Sequence, residues 1–398
     1  MNIACGDTSN DIIYYSLHNF CQKNIAVRVP TSDIQHKFKM ATSKKENSQG
    51  KISTKYKIFL GLFAGLSVFV IATSYYIYQM AYTPSVLTQK GAKEQVLYIP
   101  KGMSYDVLAK KLRTDGTIQH PVAFGVFSKW LNYVDNVKAG RYILTPKMNT
   151  IDFVRLLRSG NQAPVNVVFN QNLRFLPDLA GKITRNLEID STQFITYLQD
   201  ENTAKEFGFD KDNFISMFLP NTYEMYWTAS KEEVVERLKK EYDKFWTAER
   251  KELAKAQNLS QKEVAILASI VDAETRFADE KPRVAGVYLN RLKKNMLLQA
   301  DPTLVFAHND FTIKRVLNRH KEIESPFNTY KYVGLPPSPI RLPSIAGLNA
   351  VLKPENHEYI FFCAKEDLSG YHAFAKTNAE HEANARRYHR ALNARGIK

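Results

Sequence analysis

Residues 267–292 read LASIVDAETRFADEKPRVAGVYLNRL, and their first half has the pattern of a buried helix although it carries two acids. Upstream, Ser260 and Glu263 form a capping box, so the helix is predicted to begin directly after Ser260. Its predicted apolar stripe consists of Val264, Leu267, Ala268 and Val271, with Ile270 beside it. Glu274 continues this stripe and is predicted to face inward. Asp272 is rotated towards the flank of the stripe and is expected to see water.

A carboxyl group in a partly apolar pocket holds its proton to higher pH, because desolvation penalises the charged form. A general acid needs this property to protonate a glycosidic oxygen near neutrality. Glu274 is therefore a candidate catalytic acid. The alternative is that Glu274 only ends the helix and pairs with Arg276 or Arg283.

Two loops downstream carry groups that suit sugar rings, which offer hydrogen-bonding edges and apolar faces. The first loop, MLLQADPTLVFA (296–307), places Gln299 and Asp301 around a proline turn. The second loop, SPFNTYKYVGLPPSPI (325–340), is dense in proline and tyrosine. Its Asn-Thr-Tyr sequence also occurs at 221–223, and both copies lie shortly after a proline.

The composition limits the classes of partner. The chain has 398 residues, 44% of them hydrophobic and 24% charged, which is ordinary for a folded protein of two or three compact units. Its net charge of +15 is unusual and suits a polyanionic partner, such as an acidic polymer or anionic lipid headgroups. The basic residues form no RNP, helix-turn-helix or zinc-finger signature, so nucleic acid is not the expected partner.

The cysteines predict no metal site. Cys5, Cys21 and Cys363 form no CxxC pair, and the sequence contains no HExxH. Only Cys363 lies beyond the membrane segment described next, so that part of the chain cannot form a disulfide within one copy. We expect neither a metal ion nor a cofactor.

Residues 58–80 are predicted to form a transmembrane helix. No charged residue occurs from 58 to 89, and the run IFLGLFAGLSVFVIATSYYIY is long enough to cross a hydrocarbon core. Lysines precede the run at positions 44, 45, 51, 55 and 57, and tyrosines end it at 75, 76 and 78. By the positive-inside rule the N-terminus is cytoplasmic and everything after about residue 80 lies outside. We expect a protein of the cell (inner) membrane whose larger part is extracytoplasmic, in the periplasm. A cleaved signal peptide is the alternative, but the run is too long and no A-x-A site follows it promptly.

The N-terminal tail, residues 1–57, begins with a stretch unlike the rest. Residues 1–39 have no helical or strand period, and a short basic tail of the kind that precedes a signal anchor begins at Met40. We expect translation to start at Met40. The alternative is that residues 1–39 are a disordered cytoplasmic extension.

The rest of the chain is predicted to be α+β. Residues 81–95 are polar and are predicted to be a linker. Residues 96–162 have the order strand, helix, helix, strand, with a further helix ended by Gly160, and resemble LysM-type polysaccharide-binding modules. Any small α+β domain could share this order. Residues 163–398 are predicted to be a larger mixed α/β catalytic domain.

Within that larger domain the strand and helix signals differ in clarity. Strands are predicted at 164–170 and 358–365, and one amphipathic helix at 234–253. The aromatic stretch SMFLPNTYEMYW (216–227) has no clear period, and SGYHAFAK (369–376) is predicted to be a turn.

Over roughly residues 95–390 the sequence resembles the MltG (YceG-like) endolytic murein transglycosylases. The matching motifs are VKAGRYILTP, LPNTYEMYW, ASIVDAET, VYLNRL, LQADPT, SPFNTY, GLPPSPI and HAFAKTNAEH. The resemblance implies a single-pass membrane protein with a LysM-like subdomain and a catalytic domain that cleaves peptidoglycan glycan strands. Ser338 replaces a common glycine and Ala300 a small polar residue, and neither alters the assignment.

The resemblance also assigns roles to individual residues. The family's catalytic glutamate falls on Glu274, whereas Asp272 stands where the family often has another glutamate, so the first acid is not expected to be essential. The residues expected to bind sugar or stabilise charge are Asn221, Tyr223, Gln299, Asp301, Asn328 and Tyr330. Each of them could instead close a loop by hydrogen bonding. His372 and His381, also in a matched motif, are expected to be structural.

The implied activity needs one carboxyl group and neither water nor a cofactor. Glu274 would protonate the oxygen between MurNAc and GlcNAc and then take the proton of the MurNAc 6-hydroxyl as a 1,6-anhydro ring closes. Such an enzyme would terminate nascent strands, with peptidoglycan synthases as candidate partners. Two alternatives remain open. One is a two-carboxylate muramidase that uses Asp272 or Asp301, and the other is a non-catalytic, membrane-anchored glycan-binding protein.

Overall fold

The computed structural model describes residues 53–88 and 93–396, and the chain divides into two units, Met1–Ile71 and Ala72–Lys398. Helix α1 (Thr54–Tyr82) begins in the first unit and ends in the second. It is long and apolar enough to cross a membrane, and its large side chains are exposed, as at Phe63 and Phe69. Lipid is a suitable solvent for such a surface, because a helix satisfies its own backbone hydrogen bonds. The proposed start at Met40 lies outside the described residues.

The second unit begins with a small subdomain built on one strand pair. Its elements are β1 (Gln95–Ile99), α2 (Tyr105–Thr114), α3 (Pro121–Trp130), β2 (Gly140–Leu144) and α4 (Thr150–Ser159). The two strands are antiparallel, with Ile99 opposite Gly140. Ser104 and Asn149 cap α2 and α4, and Gly160, at φ 70°, ends α4. The element order is the one predicted, and the likeness to LysM modules remains a prediction.

The segment 81–95, predicted to be a linker, is partly built into the core of this subdomain. Ala81 and Val86 are buried in that core, and the backbone N–H groups of Ser85 and Val86 both donate to the carbonyl of Met148. This burial was not predicted, because the segment has few apolar side chains. Residues 89–92 lie outside the described residues.

The remaining elements form a larger part in which short strand pairs lie among helices. The first half contains β3 (Val165–Phe169), α5 (Leu176–Thr184), α6 (Ser191–Gln199), α7 (Glu201–Glu206), β4 (Asn221–Met225), α8 (Lys231–Phe245) and α9 (Ala248–Ala256). The second half contains α10 (Gln261–Glu274), α11 (Lys281–Lys293), α12 (Asp301–Ala307), α13 (Ile345–Leu352), β5 (Phe361–Ala364), β6 (His372–Ala375) and α14 (Asn378–Ala394). Strands β3 and β4 pair with each other, as do β5 and β6, and both pairs are antiparallel.

Three elements of this part differ from the prediction. The stretch 216–227 contains β4, and the stretch 369–376 contains β6. Strands of four or five residues are too short to show a clear period. The helix predicted at 234–253 is two helices, because Thr247 caps a new start by accepting from the backbone N–H of Arg250.

Helix α10 is the centre of the larger part. Every residue from Val264 to Asp272 is buried, and α9, α11, α12 and α13 all contact the helix. A helix covered in this way does not have the single apolar stripe of a surface helix. Ser260 and Glu263 form the predicted capping box at its start.

Asp272 is buried, so the prediction that it sees water is wrong. Its carboxylate accepts from Lys281 Nζ at 2.5 Å, from Ser344 Oγ at 2.7 Å and from the Ser344 backbone N–H at 2.6 Å. These bonds join the end of α10 to the starts of α11 and α13. The side of α10 that was predicted to face water is covered by α13. The contact is so close that a Cβ on Gly347 would lie 2.6 Å from the carboxylate oxygens of Asp272.

We expect Asp272→Asn to lower the free energy of unfolding by about 3 kcal/mol, because it leaves the buried Lys281 ammonium group without its counter-charge. The matched control is Asp243→Asn, which breaks the exposed pair with Lys239 and should cost less than about 1 kcal/mol. Urea unfolding of the detergent-solubilised chain measures both variants. Equal costs in the two variants would contradict a stabilising role for the buried pair.

Candidate active site

Glu274 is the last residue of α10, and its carboxyl group lies at the wall of a cleft. Tyr288 on α11 donates its hydroxyl to Glu274 Oε1 at 2.8 Å. Burial raises the pKa of Glu274 to about 7, and the negative charge of Asp301 adds to the rise. The hydrogen bond from Tyr288 and the nearby positive charge of Arg291 oppose it. Neither Arg276 nor Arg283 pairs with Glu274, and Arg283 pairs with Glu355 instead.

Tyr288 and Arg291 lie three residues apart on α11 and support the glutamate from one side. Burial raises the pKa of Tyr288 well above its usual value, so its hydroxyl stays a donor. Arg291 is buried and donates to the carbonyls of Ile360, Leu297 and Leu298. Neither residue was given a role from the sequence. An arginine within an otherwise apolar face was the signal available.

Glu274 and Asp301 together line two cavities. The smaller, about 270 Å³, is also lined by Tyr288, Arg291, Gln299, Tyr330 and His372. The larger, about 470 Å³, is lined by basic and aromatic side chains that include Arg174, Phe306, Phe311 and Arg341. Glu274 therefore borders two separate cavities, and a ligand could bind in either of them.

Three of the predicted sugar-binding residues lie beside Glu274. Tyr330 donates its hydroxyl to Asp301 Oδ1 at 2.5 Å. Gln299 has the left-handed φ of 49°, which is uncommon for a residue with a side chain, and its Oε1 accepts from Arg291 Nη1 at 3.2 Å. Strained backbone of this kind clusters at functional sites.

Asn328 is buried and holds the second loop in shape. Its Nδ2 donates to the carbonyls of Lys321 and Ile323, and its Oδ1 accepts from the backbone N–H of Tyr330. These bonds place Tyr330 at the cavity while they use the polar atoms of Asn328. The geometry matches the alternative of loop closure.

The first Asn-Thr-Tyr sequence lies on β4 and is not brought to Glu274. Tyr223 is buried against Phe169, and its hydroxyl donates to the carbonyl of Leu219 at 2.5 Å. Asn221 is exposed, and its Oδ1 accepts a hydrogen bond from the backbone N–H of Thr222 at the start of the same strand. Neither residue lines the two cavities that Glu274 lines. Their predicted sugar contacts have no support from this geometry.

His372 lies in the smaller cavity, although it was expected to be structural. The buried Glu280 accepts from its backbone N–H at 2.7 Å, and the Glu280 carboxylate lies 2.9 Å from its Nδ1. His381 stacks on Phe361, and its Nδ1 is buried without a hydrogen-bond partner.

Two further features bear on the chemistry. Cys363 on β5 lines the smaller cavity, and burial raises the pKa of its thiol. Within residues 53–88 and 93–396 no group of three or more His, Cys, Asp or Glu side chains is arranged to hold a metal ion.

A larger cavity, about 770 Å³, lies elsewhere, between the small subdomain and the β4–α8 region. Its acids are Glu224, Glu233 and Glu236, which are all exposed. Glu233 is also committed to the capping box of α8. This cavity offers no desolvated carboxyl group, so its volume does not make it the better candidate for catalysis.

The pKa of Glu274 predicts a pH-dependent difference in stability between Glu274→Gln and the wild type. The folded chain holds this proton up to about pH 7, whereas an unfolded glutamate loses it near 4.5. Ionisation therefore favours the unfolded state, and the wild type should lose stability relative to Glu274→Gln as pH rises from about 4.5 to 7. Urea unfolding of both chains across this window tests it. Parallel stability curves would contradict a desolvated carboxyl group at position 274.

Comparisons with known proteins agree on one family. An endolytic murein transglycosylase from Bacillus subtilis is 28% identical over 319 residues, which cover 75% of this chain and 86% of that protein. One from Streptococcus pneumoniae is 24% identical over 360 residues, and the match covers 82% of this chain and 64% of the streptococcal protein.

A solved structure agrees as well. The crystal structure of a YceG-like protein from Listeria monocytogenes, at 26% identity, superposes with a TM-score of 0.50 and covers 73% of this chain and 98% of that one. A profile of the YceG-like family matches residues 97–387, which include both strand pairs of the larger part and the whole cleft around Glu274. The chain belongs to the YceG-like family.

Proposed function

We propose that this protein is an endolytic murein transglycosylase, the activity for which its relatives from B. subtilis and S. pneumoniae are named. The observation that carries the proposal is the Glu274 carboxyl group, which lines two cavities and has its pKa raised to about 7 by burial. A group with this pKa holds and releases a proton with comparable ease near neutrality.

In the first step Glu274 acts as the acid. Its proton goes to the oxygen between MurNAc and GlcNAc, the C1–O bond of MurNAc breaks, and positive charge develops on the sugar ring. The carboxylate of Asp301, which lines the same cavities, is placed to stabilise that charge. Tyr330 holds Asp301 through its hydroxyl.

In the second step Glu274 acts as the base. The carboxylate takes the proton of the MurNAc 6-hydroxyl, whose oxygen attacks C1 and closes the 1,6-anhydro ring. The hydroxyl of Tyr288 and the charge of Arg291 stabilise the carboxylate between the steps. The glutamate ends protonated, as it began, so one carboxyl group serves both steps.

The two cavities support cleavage within a strand. Sugars bound on both sides of the scissile bond need space on both sides of the acid, and Glu274 and Asp301 line both cavities. A membrane-anchored enzyme of this kind would terminate nascent strands close to the peptidoglycan synthases that make them. Those synthases are its expected partners.

The alternative of a two-carboxylate muramidase had two candidates for the second acid, Asp272 and Asp301, and one of them remains. The ion pair with Lys281 occupies the buried carboxylate of Asp272, which leaves Asp301 as the candidate second acid. In that mechanism Asp301 would activate a water that attacks C1. The non-catalytic binding protein is disfavoured, because binding alone gives no reason for an acid kept desolvated in the cleft.

We expect Glu274→Gln to abolish strand cleavage, with a loss of at least about 10²–10⁴-fold, because glutamine keeps the shape but transfers no proton. The assay is mass spectrometry of peptidoglycan digested by the detergent-solubilised chain. An exposed glutamate on α8, changed in Glu236→Gln, is the matched control and should keep full activity. Activity close to wild type in Glu274→Gln would overturn the mechanism.

The same digest separates the two reactions. A lytic enzyme leaves 1,6-anhydro ends, and a muramidase leaves reducing ends that are heavier by one water. We expect anhydro ends from the wild type and from Asp301→Asn, the latter at reduced rate. Reducing ends from the wild type, abolished by Asp301→Asn, would establish the muramidase instead.

The orientation proposed for the chain follows from charge. The lysines at 44, 45, 51, 55 and 57 favour a cytoplasmic N-terminus, and the exposed tyrosines at the far end of α1 suit the opposite membrane interface. The chain after about residue 82 then lies on the side of the membrane where the glycan strands are.

A protease added to intact spheroplasts should degrade the chain after about residue 82 and leave the N-terminal tail protected. Immunoblotting with a tag at each end reads both parts in one sample. Loss of the N-terminal tag alone would reverse the orientation.

A further inference from the structure

The larger of the two cavities beside Glu274 is strongly basic. Arg174, Lys314, Arg315 and Arg341 line it, and the acids among its lining residues are Glu274 and Asp301. In the acid step Glu274 carries its proton and no charge, so the lining then has an excess of positive charge. Sugar rings without carboxylates give such a surface nothing to pair with.

These four cations form no ion pair in the part of the chain that the structure describes. Within the described residues, none of them has a carboxylate oxygen within the 4.0 Å of an ion pair. Lys239 on α8 and Arg386 on α14 are not comparable, because their helical neighbours Asp243 and Glu382 pair with them. The cluster lies beside the reacting group and keeps its charge unpaired.

The two inner arginines are held in place by contacts that do not neutralise them. Arg341 donates to the carbonyls of Gln171 and Asp272 and to the side chain of Asn172. Arg174 lies 4.1 Å above the ring of Phe311. Burial lowers the pKa of Arg341, the negative charge of Asp272 opposes the lowering, and the charge of Arg174 adds to it, so the two guanidinium groups repel each other. An anion bound between them would relieve that repulsion.

The two outer cations lie on the loop after α12. Lys314 and Arg315 are adjacent and exposed, and Phe311 in the same loop packs against Phe175. The aromatic contact thus holds the loop, while the charged groups of Lys314 and Arg315 form no ion pair within the described residues. The smaller cavity differs, because its arginine, Arg291, spends its donors on backbone carbonyls and Gln299.

We propose that the basic cavity lined by Arg174, Lys314, Arg315 and Arg341 binds a carboxylate of the glycan strand and selects strands that carry one near the scissile bond. This inference rests on the proposed function. The disaccharide backbone of peptidoglycan is neutral where the lactyl group of MurNAc is joined to a peptide. Its carboxylates belong to the peptide stems, or to the lactyl group itself once a stem is removed. Both sources present the same group to the arginines.

Three substrates separate these sources. Intact strands carry stem carboxylates, strands stripped by an amidase carry lactyl carboxylates, and stripped strands converted to the methylamide carry neither. We expect the wild type to favour intact over neutral strands by about tenfold in kcat/KM, the effect of about one charge-assisted contact. A similar preference for stripped over neutral strands would assign the site to the lactyl carboxylate.

The variant that tests the cavity is Lys314→Glu/Arg315→Glu, which reverses two exposed charges. Its ratio of kcat/KM on intact and neutral strands should fall to about one. The matched control, Lys293→Glu/Lys294→Glu, reverses an adjacent exposed pair at the end of α11 that lines neither cavity, and should keep the wild-type ratio. Use of a ratio removes any common effect of the new charges on Glu274. Salt should weaken the preference of the wild type in the same way.

Binding gives an independent measurement. The same charge reversals in a Glu274→Gln chain, which does not consume the strand, should remove the preferential retention of intact over neutral strands in a sedimentation assay. Equal use of all three substrates by the wild type, or an unchanged ratio in the charge-reversal variant, would overturn the inference while the proposed function stands. If the wild type cleaves no strand, the proposed function fails, and the sedimentation result alone decides the carboxylate site.

Discussion

The buried ion pair between Asp272 and Lys281 is the constraint on which the site depends. Removal of two charges from water is costly, and it is offset only where each charge meets its partners at close range. Here the carboxylate is saturated by Lys281 and by both polar groups of Ser344, so the end of α10 has one permitted position relative to α11 and α13. Glu274 follows two residues later on another side of the helix. The ion pair that fixes the position of Asp272 therefore also fixes the position of Glu274 at the cleft.

The environment of Glu274 combines opposing influences on one proton. Burial and the charge of Asp301 favour the protonated acid, whereas Tyr288 and Arg291 favour the carboxylate. Each of these neighbours is itself held by another contact, Asp301 by Tyr330 and Arg291 by the carbonyls around it. Catalysis that relies on one group in two protonation states needs neither state to be strongly preferred. The balance therefore comes from fixed neighbours and does not require a change of conformation.

Much of the site could be predicted because its signals are local. The capping box at Ser260 and the inward position of Glu274 follow from helix geometry, and Gln299, Asp301 and Tyr330 came from motifs that the fold brings together. Asp272 was misjudged because a helical wheel assumes one solvent-facing side, and α10 has none. Tyr223 was assigned to sugar by its motif, yet β4 turns its ring into the core. The strands β4 and β6 were missed because their own sequences have no strand pattern. They are strands only because each pairs with another segment.

The position of Cys363 has a consequence for the redox chemistry of the chain. In the proposed orientation this is the one cysteine outside the membrane, where oxidising conditions are common. A thiol reacts with oxidants and disulfides as the thiolate, and burial at the wall of the smaller cavity raises the pKa of this thiol and keeps the thiolate scarce. A bound glycan would cover it further. Cys363, beside the proposed catalytic glutamate Glu274, would therefore react slowly with oxidants.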